Sequence, residues 1–127
     1  MKPMGPIPAW FAEEEGMLLI GGCGAASLVD EAGDTPLFVY DMGIIEAQVR
    51  RFREAIPKKI DLHYAIKANP YSPLLARMAG LVDGFDIASG GELAMALEAG
   101  ERVALQVIFS DLTLMERVAG KVKRMLS

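Results

Sequence analysis

A single lysine follows an apolar stretch near the middle of this chain. Lys67 lies within the segment Tyr64–Pro70, at the end of the apolar run and just before an asparagine–proline pair. A lysine that is held at the end of a strand and partly removed from water can lose its proton near neutral pH and attack a carbonyl carbon. The alternative is that Lys67 only begins a solvated surface loop, because most lysines remain in contact with water.

A second group of residues with chemical potential lies about twenty positions further on, within Phe85–Leu93. Asp86 interrupts an apolar strand, where a carboxylate needs a partner, and a neighbouring strand that carries Lys67 could supply one. Ser89 and Glu92 match the S-x-x-E capping box, which favours a structural role for Ser89. Glu92 could serve as a cap or in chemistry. No cap explains Asp86, so we interpret it as functional.

Helices and strands that alternate along the chain would position these residues. The pattern predicts a short helix over 26–32 and a strand over 37–40. It then predicts a helix that begins at Asp41 and ends at Pro57, followed by strands over 60–67, 85–88 and 103–109. Helices are predicted over 72–80 and 89–99, and a last helix begins at Ser110 or Asp111. Residues 1–16 are predicted to form an irregular lead-in. Along strand 60–67, alternation places Lys67, Ala65, His63 and Asp61 on one face. We interpret His63 as a packed or hydrogen-bonded core residue.

Short strands that alternate with helices predict parallel β–α–β units, in which ligands bind at the carboxyl ends of the strands. Lys67 would lie at that end. Two architectures remain open, a small open α/β domain or the first third of an eight-stranded barrel. A closed barrel of this kind takes roughly 200 residues or more, and this chain has 127.

Composition excludes several other classes of function. The sequence is 52% hydrophobic with a net charge of −4, which gives no reason to expect nucleic acid or an anionic membrane as a partner. No apolar run approaches the roughly 20 residues of a membrane-spanning helix. Cys23 is the only cysteine, so no internal disulfide is possible, and we predict a cytoplasmic location. His63 is the only histidine, and we predict no metal site.

Three segments together resemble a known family. Thr35–Asp41, His63–Pro70 and Gly84–Leu93 match, in order and spacing, the fold-type III pyridoxal-phosphate-dependent decarboxylases, the group of ornithine, diaminopimelate and arginine decarboxylases. The opening Met1–Pro8, with Ala32–Pro36, looks still closer to the exosortase A system-associated decarboxylases. The resemblance covers about residues 1–100.

The resemblance implies an α/β fold, the N-terminal part of a pyridoxal-phosphate-binding (β/α)₈ TIM-like barrel of the alanine racemase type, incomplete and with about three strand–helix units. Residues 1–36 would form a lead-in with a short strand and helix, and residues 37–127 a partial barrel domain. Lys67 would be the catalytic Schiff-base lysine, with Asp86 and Glu92 as cofactor-binding carboxylates beside it. The family removes a carboxylate from a small amino-acid substrate, uses pyridoxal 5'-phosphate as an electron sink and forms homodimers.

The chain also departs from the family pattern. The glycine–lysine segment that the family shows after its third strand is missing after Gly100, and the family's later phosphate-binding and catalytic residues have no counterpart before Ser127. We therefore expect an N-terminal fragment that is inactive alone. A non-catalytic pyridoxal-phosphate-binding or interaction domain is an alternative. A relative of alanine racemase is another, which the segment Phe85–Leu93 disfavours.

Overall fold

The computed structural model describes residues 8–100 and the backbone of residues 104–107. The described residues fall into two compact units that divide between Gln48 and Val49. Each unit is described by itself. The division of the chain at residues 36 and 37 stays a prediction.

The first unit contains a small antiparallel sheet of three strands. Strand β1 (Ala12–Glu14) pairs with β2 (Met17–Ile20), which pairs with β3 (Cys23–Gly24). Glu15 and Gly16 connect β1 to β2 with φ values of 50° and 78°, and two positive φ values in a two-residue loop are typical of a type I′ hairpin turn. The prediction of an irregular lead-in was therefore wrong for residues 12–14, because this turn folds the acidic segment back onto β2.

A short helix and an extended segment follow the sheet. Helix α1 (Ala25–Ala32) confirms the helix predicted over 26–32, and it ends at Gly33, whose φ of 82° is left-handed. The strand predicted over 37–40 was wrong, because this segment is irregular. A strand needs a ladder partner, none of the described strands pairs with this segment, and the side chain of Phe38 is 83% exposed.

Helix α2 (Met42–Ala55) begins and ends where the sequence predicted. Asp41 Oδ1 accepts a hydrogen bond of 3.1 Å from the backbone N–H of Ile44, which satisfies one of the free donors of the first turn. Pro57 follows two residues after the helix and prevents its continuation. The last turns of α2, from Val49 onward, belong to the second unit.

The second unit is a parallel sheet with helical connections, which confirms the predicted β–α–β units. The sheet order is β4 (His63–Ala65), β5 (Gly84–Ile87) and β6 (Ala104–Val107). Helix α3 (Ser72–Met78) connects β4 to β5, and α4 (Gly90–Ala99) connects β5 to β6. The last helix, predicted from Ser110, lies outside the described residues.

Strand β4 is shorter than predicted. The strand expected over 60–67 ends at Ala65, and Ile66–Ala68 forms a 3₁₀ turn. Asn69 beyond it is extended, with φ of −161°, as expected for a residue that precedes a proline. Lys67 therefore lies on a turn, and the strand alternation that placed it on the face of Ala65 does not extend to it.

The core of the second unit lies between one face of the sheet and helices α3 and α4. Tyr64 and Phe85 are paired across β4 and β5, and their rings meet edge to face with centroids 6.3 Å apart. The buried apolar residues are Ile66, Leu74, Leu75, Met78, Phe85, Ile87, Leu93 and Ala96. None of the helices in the described part of the chain combines the length and apolar composition that a membrane crossing requires.

Candidate functional site

The turn that carries Lys67 is fixed by a buried residue before the lysine and by hydrogen bonds around Asn69 after it. Ile66 is 0% exposed and anchors the turn in the core, whereas Lys67 itself is exposed. The Tyr64 hydroxyl donates a hydrogen bond of 3.3 Å to the carbonyl oxygen of Asn69, and Asn69 Oδ1 accepts one of 3.1 Å from the backbone N–H of Tyr71. Of the two interpretations of Lys67, the exposed side chain agrees with the solvated one. The turn presents an exposed amine from a fixed backbone.

Asp86 lies on β5 beside the start of this turn. It is the register partner of Ala65, the last residue of β4. Its side chain is half-buried, and the Oδ1 atom is buried without a hydrogen-bond partner among the described residues. Buried polar atoms in proteins are nearly always paired with another residue or with ordered water, so this oxygen is available to a water or a ligand.

Glu92 and Ser89 form the capping interactions that the sequence predicted at the start of α4. Ser89 Oγ accepts a hydrogen bond of 3.1 Å from the backbone N–H of Glu92, and Glu92 Oε2 accepts one of 2.7 Å from the backbone N–H of Ala88. This confirms the capping box, with Glu92 reaching one residue further back than usual. One carboxylate oxygen of Glu92 is thus used structurally. Its assignment as a cofactor-binding residue stays a prediction.

The three candidate residues belong to elements that meet at one edge of the sheet. The 3₁₀ turn contacts both β5 and α4, and β4 and β5 are parallel, so both strands end on the same side. We call this side the C-terminal edge and define it by Lys67, Asp86 and the Ser89–Glu92 cap. The prediction that Lys67 and Asp86 lie at the same end of adjacent parallel strands is confirmed.

His63 lies at the start of β4 on the same sheet face as Asp86, which differs from the expectation of a packed or hydrogen-bonded core residue. It shares a sheet face with Ala65, because both lie on β4 two residues apart. The side chain is half-buried, and its Nδ1 atom is buried without a hydrogen-bond partner among the described residues. The opposite face of the sheet carries the apolar core, so His63 and Asp86 lie on the face turned away from it.

The other end of these strands carries an ion pair that sequence reasoning missed. Asp83 Oδ2 accepts hydrogen bonds from Arg53 Nη1 on α2 and from the backbone N–H of Leu62, at 2.5 and 2.7 Å. The backbone N–H of Asp83 donates in return to the carbonyl oxygen of Leu62. We call this group of Arg53, Leu62 and Asp83 the N-terminal edge. Arg53 and Asp83 are thirty residues apart, so no local pattern could have paired them.

The charges of the N-terminal edge stabilise each other. The hydrogen bond from Arg53, followed by that from the Leu62 backbone, lowers the pKa of the Asp83 carboxyl below its ordinary value of 3.8. The same hydrogen bond raises the pKa of Arg53 above its ordinary value. Both side chains are about one-third exposed, so solvent screens the pair.

The donor set at the C-terminal edge does not match a metal centre. In the described part of the chain, no three His, Cys, Asp or Glu side chains come together as metal ligands. The residues at this edge include a primary amine, Lys67, and a carboxylate, Asp86, whose buried oxygen has no described partner. This set can form a covalent bond to a carbonyl group and hold a positive charge beside the bond.

Comparison with known proteins indicates that the carbonyl group belongs to pyridoxal phosphate. The sequence pattern of the family described as "Pyridoxal-dependent decarboxylase, pyridoxal binding domain" matches residues 42–117, more than half of the chain. A diaminopimelate decarboxylase of Pseudomonas fluorescens is 42% identical over 87 residues, which cover 68% of this chain and 21% of that protein. One from Aquifex aeolicus is 40% identical over 87 residues, with 68% and 20% covered.

A third relative shows a similar identity over a similar share of its length. A diaminopimelate decarboxylase of Campylobacter jejuni is 38% identical over 78 residues, which cover 61% of this chain and 19% of that protein. The chain spans about a fifth of the length of the curated relatives it matches.

The residues at the C-terminal edge fit the cofactor that the family description names. Pyridoxal phosphate carries an aldehyde, which requires a reachable primary amine, and Lys67 is exposed. A positively charged amine is stabilised by a carboxylate nearby. Asp86, on the adjacent strand, has a buried oxygen without a partner among the described residues. From the family match over more than half of its length, and from this agreement of residues and cofactor, the chain belongs to the pyridoxal-dependent decarboxylases through their pyridoxal-binding domain.

Proposed function

We propose that this chain is the cofactor-binding part of an amino-acid decarboxylase, in which Lys67 holds pyridoxal 5'-phosphate covalently through its amine. The observation that carries the proposal is the juxtaposition at the C-terminal edge. There the exposed lysine follows β4, and the buried, unpaired oxygen of Asp86 lies on the adjacent parallel strand. When bound, the cofactor supplies an electron sink for the electron pair left behind by a departing carboxylate.

Lys67 and Asp86 would divide the work between them. The turn fixes the backbone of Lys67 through the buried Ile66, so that the flexible side chain reaches outward from a fixed point. Asp86 would hold positive charge beside that amine, both when the lysine is free and when it is attached. Glu92 would act as the second carboxylate, with one oxygen fixed by the Ala88 backbone N–H and the other available.

The larger setting of this site is also part of the proposal. We infer that β4, β5 and β6 are strands of a (β/α)₈ barrel whose C-terminal face carries the site, since functional residues in such barrels lie at that face. The substrate would be an amino acid, because the relatives are named for decarboxylation of diaminopimelate. Homodimer formation, a cytoplasmic location and the link to the exosortase-associated subgroup stay predictions.

Covalent trapping tests the role of Lys67. The 127-residue chain is mixed with pyridoxal 5'-phosphate and reduced with borohydride, and the labelled peptide is mapped by mass spectrometry. We expect the label on Lys67, loss of this label in Lys67→Ala, and full labelling in the control Lys59→Ala, which removes an exposed lysine before β4. Labelling spread over several lysines, and unchanged in total by Lys67→Ala, would contradict the proposal.

An activity assay tests whether the residues of this chain already contain a complete catalytic site. Release of CO₂ is measured with lysine, ornithine, arginine and diaminopimelate in the presence of the cofactor. We expect the 127-residue chain to attach the cofactor and to show no turnover, because covalent attachment alone does not supply the electrostatic preorganisation that usually makes the largest contribution to rate. Robust turnover would show that these residues already contain a complete site.

A further inference from the structure

Two buried polar atoms in the described part of the chain have no hydrogen-bond partner, and both lie on the same face of the parallel sheet. They are His63 Nδ1 on β4 and Asp86 Oδ1 on β5. Most buried polar side-chain atoms in proteins have a partner, either another residue or an ordered water. Two unpaired atoms on adjacent strands, one able to donate and one able to accept, therefore invite the question of whether they serve each other.

The strand register places the two residues at opposite corners of a square. His63 is paired with Gly84, and Ala65 is paired with Asp86. The other two corners are therefore a glycine and an alanine, so almost no side chain stands between the imidazole and the carboxylate. Two residues rise about 6.6 Å along a strand and neighbouring strands lie about 4.8 Å apart, so the Cα atoms of this diagonal pair are about 8 Å apart. The two atoms do not hydrogen-bond to each other in the structure, but side chains of this length can share one water across that distance.

Other carboxylates near His63 are less suitable partners. Asp83 lies close enough for His63 to contribute to the lowered pKa of its carboxyl. However, Asp83 Oδ2 already accepts hydrogen bonds from Arg53 and from the Leu62 backbone, and no hydrogen bond joins it to His63. Asp61 is exposed and lies two residues before β4 begins. Of the three, only Asp86 has a buried oxygen without a partner.

We propose that His63 is a positioning residue for Asp86. Its Nδ1–H donates to Asp86 Oδ1 through one buried water, because the two atoms do not hydrogen-bond directly, and so fixes the rotation of the Asp86 carboxylate beside the turn that carries Lys67. The expected effect of His63 on cofactor attachment rests on the proposed function. The link between the two side chains stands on the register and burial alone.

Nuclear magnetic resonance can detect this link without interference from other residues, because His63 is the only histidine of the chain. We expect a slowly exchanging Nδ1–H proton in the wild-type chain. The signal should persist in Asp86→Asn, which keeps an oxygen acceptor, and should disappear into the solvent signal in Asp86→Ala. A signal that is absent from the wild type, or equal in both variants, would overturn the inference whether or not the chain binds the cofactor.

Cofactor attachment supplies the second measurement. His63→Leu removes the donor, whereas His63→Asn places an amide N–H near the position of Nδ1. We expect the rate of attachment to Lys67 to fall about tenfold in His63→Leu, the factor that one lost hydrogen bond commonly costs, and to recover in His63→Asn. Circular dichroism confirms that each variant is folded.

The two proposals fail in different ways. If Lys67→Ala abolishes labelling but both His63 variants attach the cofactor at the wild-type rate, the site assignment stands and the positioning role is wrong. If the wild-type chain does not attach the cofactor at all, the Nδ1–H signal still decides whether His63 and Asp86 are linked.

Discussion

The two ends of the β4–β5 pair carry similar residue types but satisfy them differently. At the N-terminal edge, Asp83 Oδ2 accepts two hydrogen bonds, and its cationic partner Arg53 is in contact. At the C-terminal edge, Asp86 has a buried oxygen without a described partner, and Lys67 extends into solvent. A carboxylate and a cation thus stabilise the sheet at one end and are left available at the other.

This difference separates residues that hold the fold from residues that act on a ligand. A satisfied pair lowers the free energy of the folded chain, whereas an unpaired buried oxygen raises it unless a ligand or water completes it. Parallel α/β folds commonly place binding at the carboxyl ends of the strands. Both ends depend on the same buried core of the sheet.

The largest expected effect is on stability, from removing the ring that supports both ends. Phe85 is 0% exposed, contacts Tyr64, and lies between Gly84 and Asp86 on β5. Phe85→Ala should lower the free energy of unfolding by about 3–5 kcal/mol and weaken cofactor attachment together with it. Chemical denaturation measures the first and borohydride trapping the second. The exposed ring of Phe52 offers a matched control, because Phe52→Ala removes the same atoms from a side chain that is 52% exposed.

A loss of stability in Phe85→Ala equal to that in Phe52→Ala would contradict the packing described for β5. If Phe85→Ala loses stability but still attaches the cofactor at the wild-type level, the position of Asp86 on β5 does not matter for cofactor attachment.

The second effect contrasts the two aspartates directly. Asp86→Ala should weaken cofactor binding about tenfold to a hundredfold, because a charge-assisted hydrogen bond contributes roughly 1.5–3 kcal/mol. It should lower stability less than Asp83→Ala does, since the buried oxygen of Asp86 accepts no direct hydrogen bond in the described part of the chain. Asp83→Ala should do the reverse, with stability reduced and binding retained. Absorbance titration measures cofactor binding and thermal unfolding measures stability in both variants. An equal loss of stability in Asp86→Ala and Asp83→Ala would contradict the difference between the two edges.

The same contrast shows what the sequence could and could not predict. Capping by Asp41 and Ser89 was predictable, because each cap involves residues three positions apart along the chain. The parallel sheet followed from the alternation of strands and helices. The end of β4 at Ala65 did not, because an apolar run cannot distinguish a strand from a 3₁₀ turn whose Ile66 is buried in the same core.

Contacts between residues far apart in the sequence could not be predicted either. The strand predicted over 37–40 has the right composition, but a strand exists only where another strand pairs with it, and composition does not reveal that. Similarly, Lys67, Asp86 and Glu92 could be selected by residue type and order. The satisfied state of Asp83 and the unpaired state of His63 depend on register, which only the structure provides.

A smaller effect comes from the cap at the C-terminal edge. Ser89→Ala removes the acceptor for the Glu92 backbone N–H and should cost about 1 kcal/mol of stability. Ser89→Asp preserves an acceptor and should restore most of it. Denaturation of the two variants checks the cap. A larger effect of Ser89→Ala on cofactor binding than on stability would indicate that Ser89 contacts the ligand rather than only the helix.

The smallest effect is the dependence of stability on pH at the N-terminal edge, where solvent screens the charges. Because the pKa of Asp83 is lowered in the folded chain, its ionised form contributes stability above the ordinary pKa of 3.8, and this contribution is lost as the pH falls below that value. Asp83→Asn should therefore be less stable than the wild type near neutral pH, and the difference should shrink in acid. Urea denaturation at several pH values measures it, with Asp30→Asn on α1 as the control for an exposed aspartate. A difference that stays constant between pH 7 and pH 3 would show that the hydrogen bonds at Asp83, and not its charge, hold the two strands together.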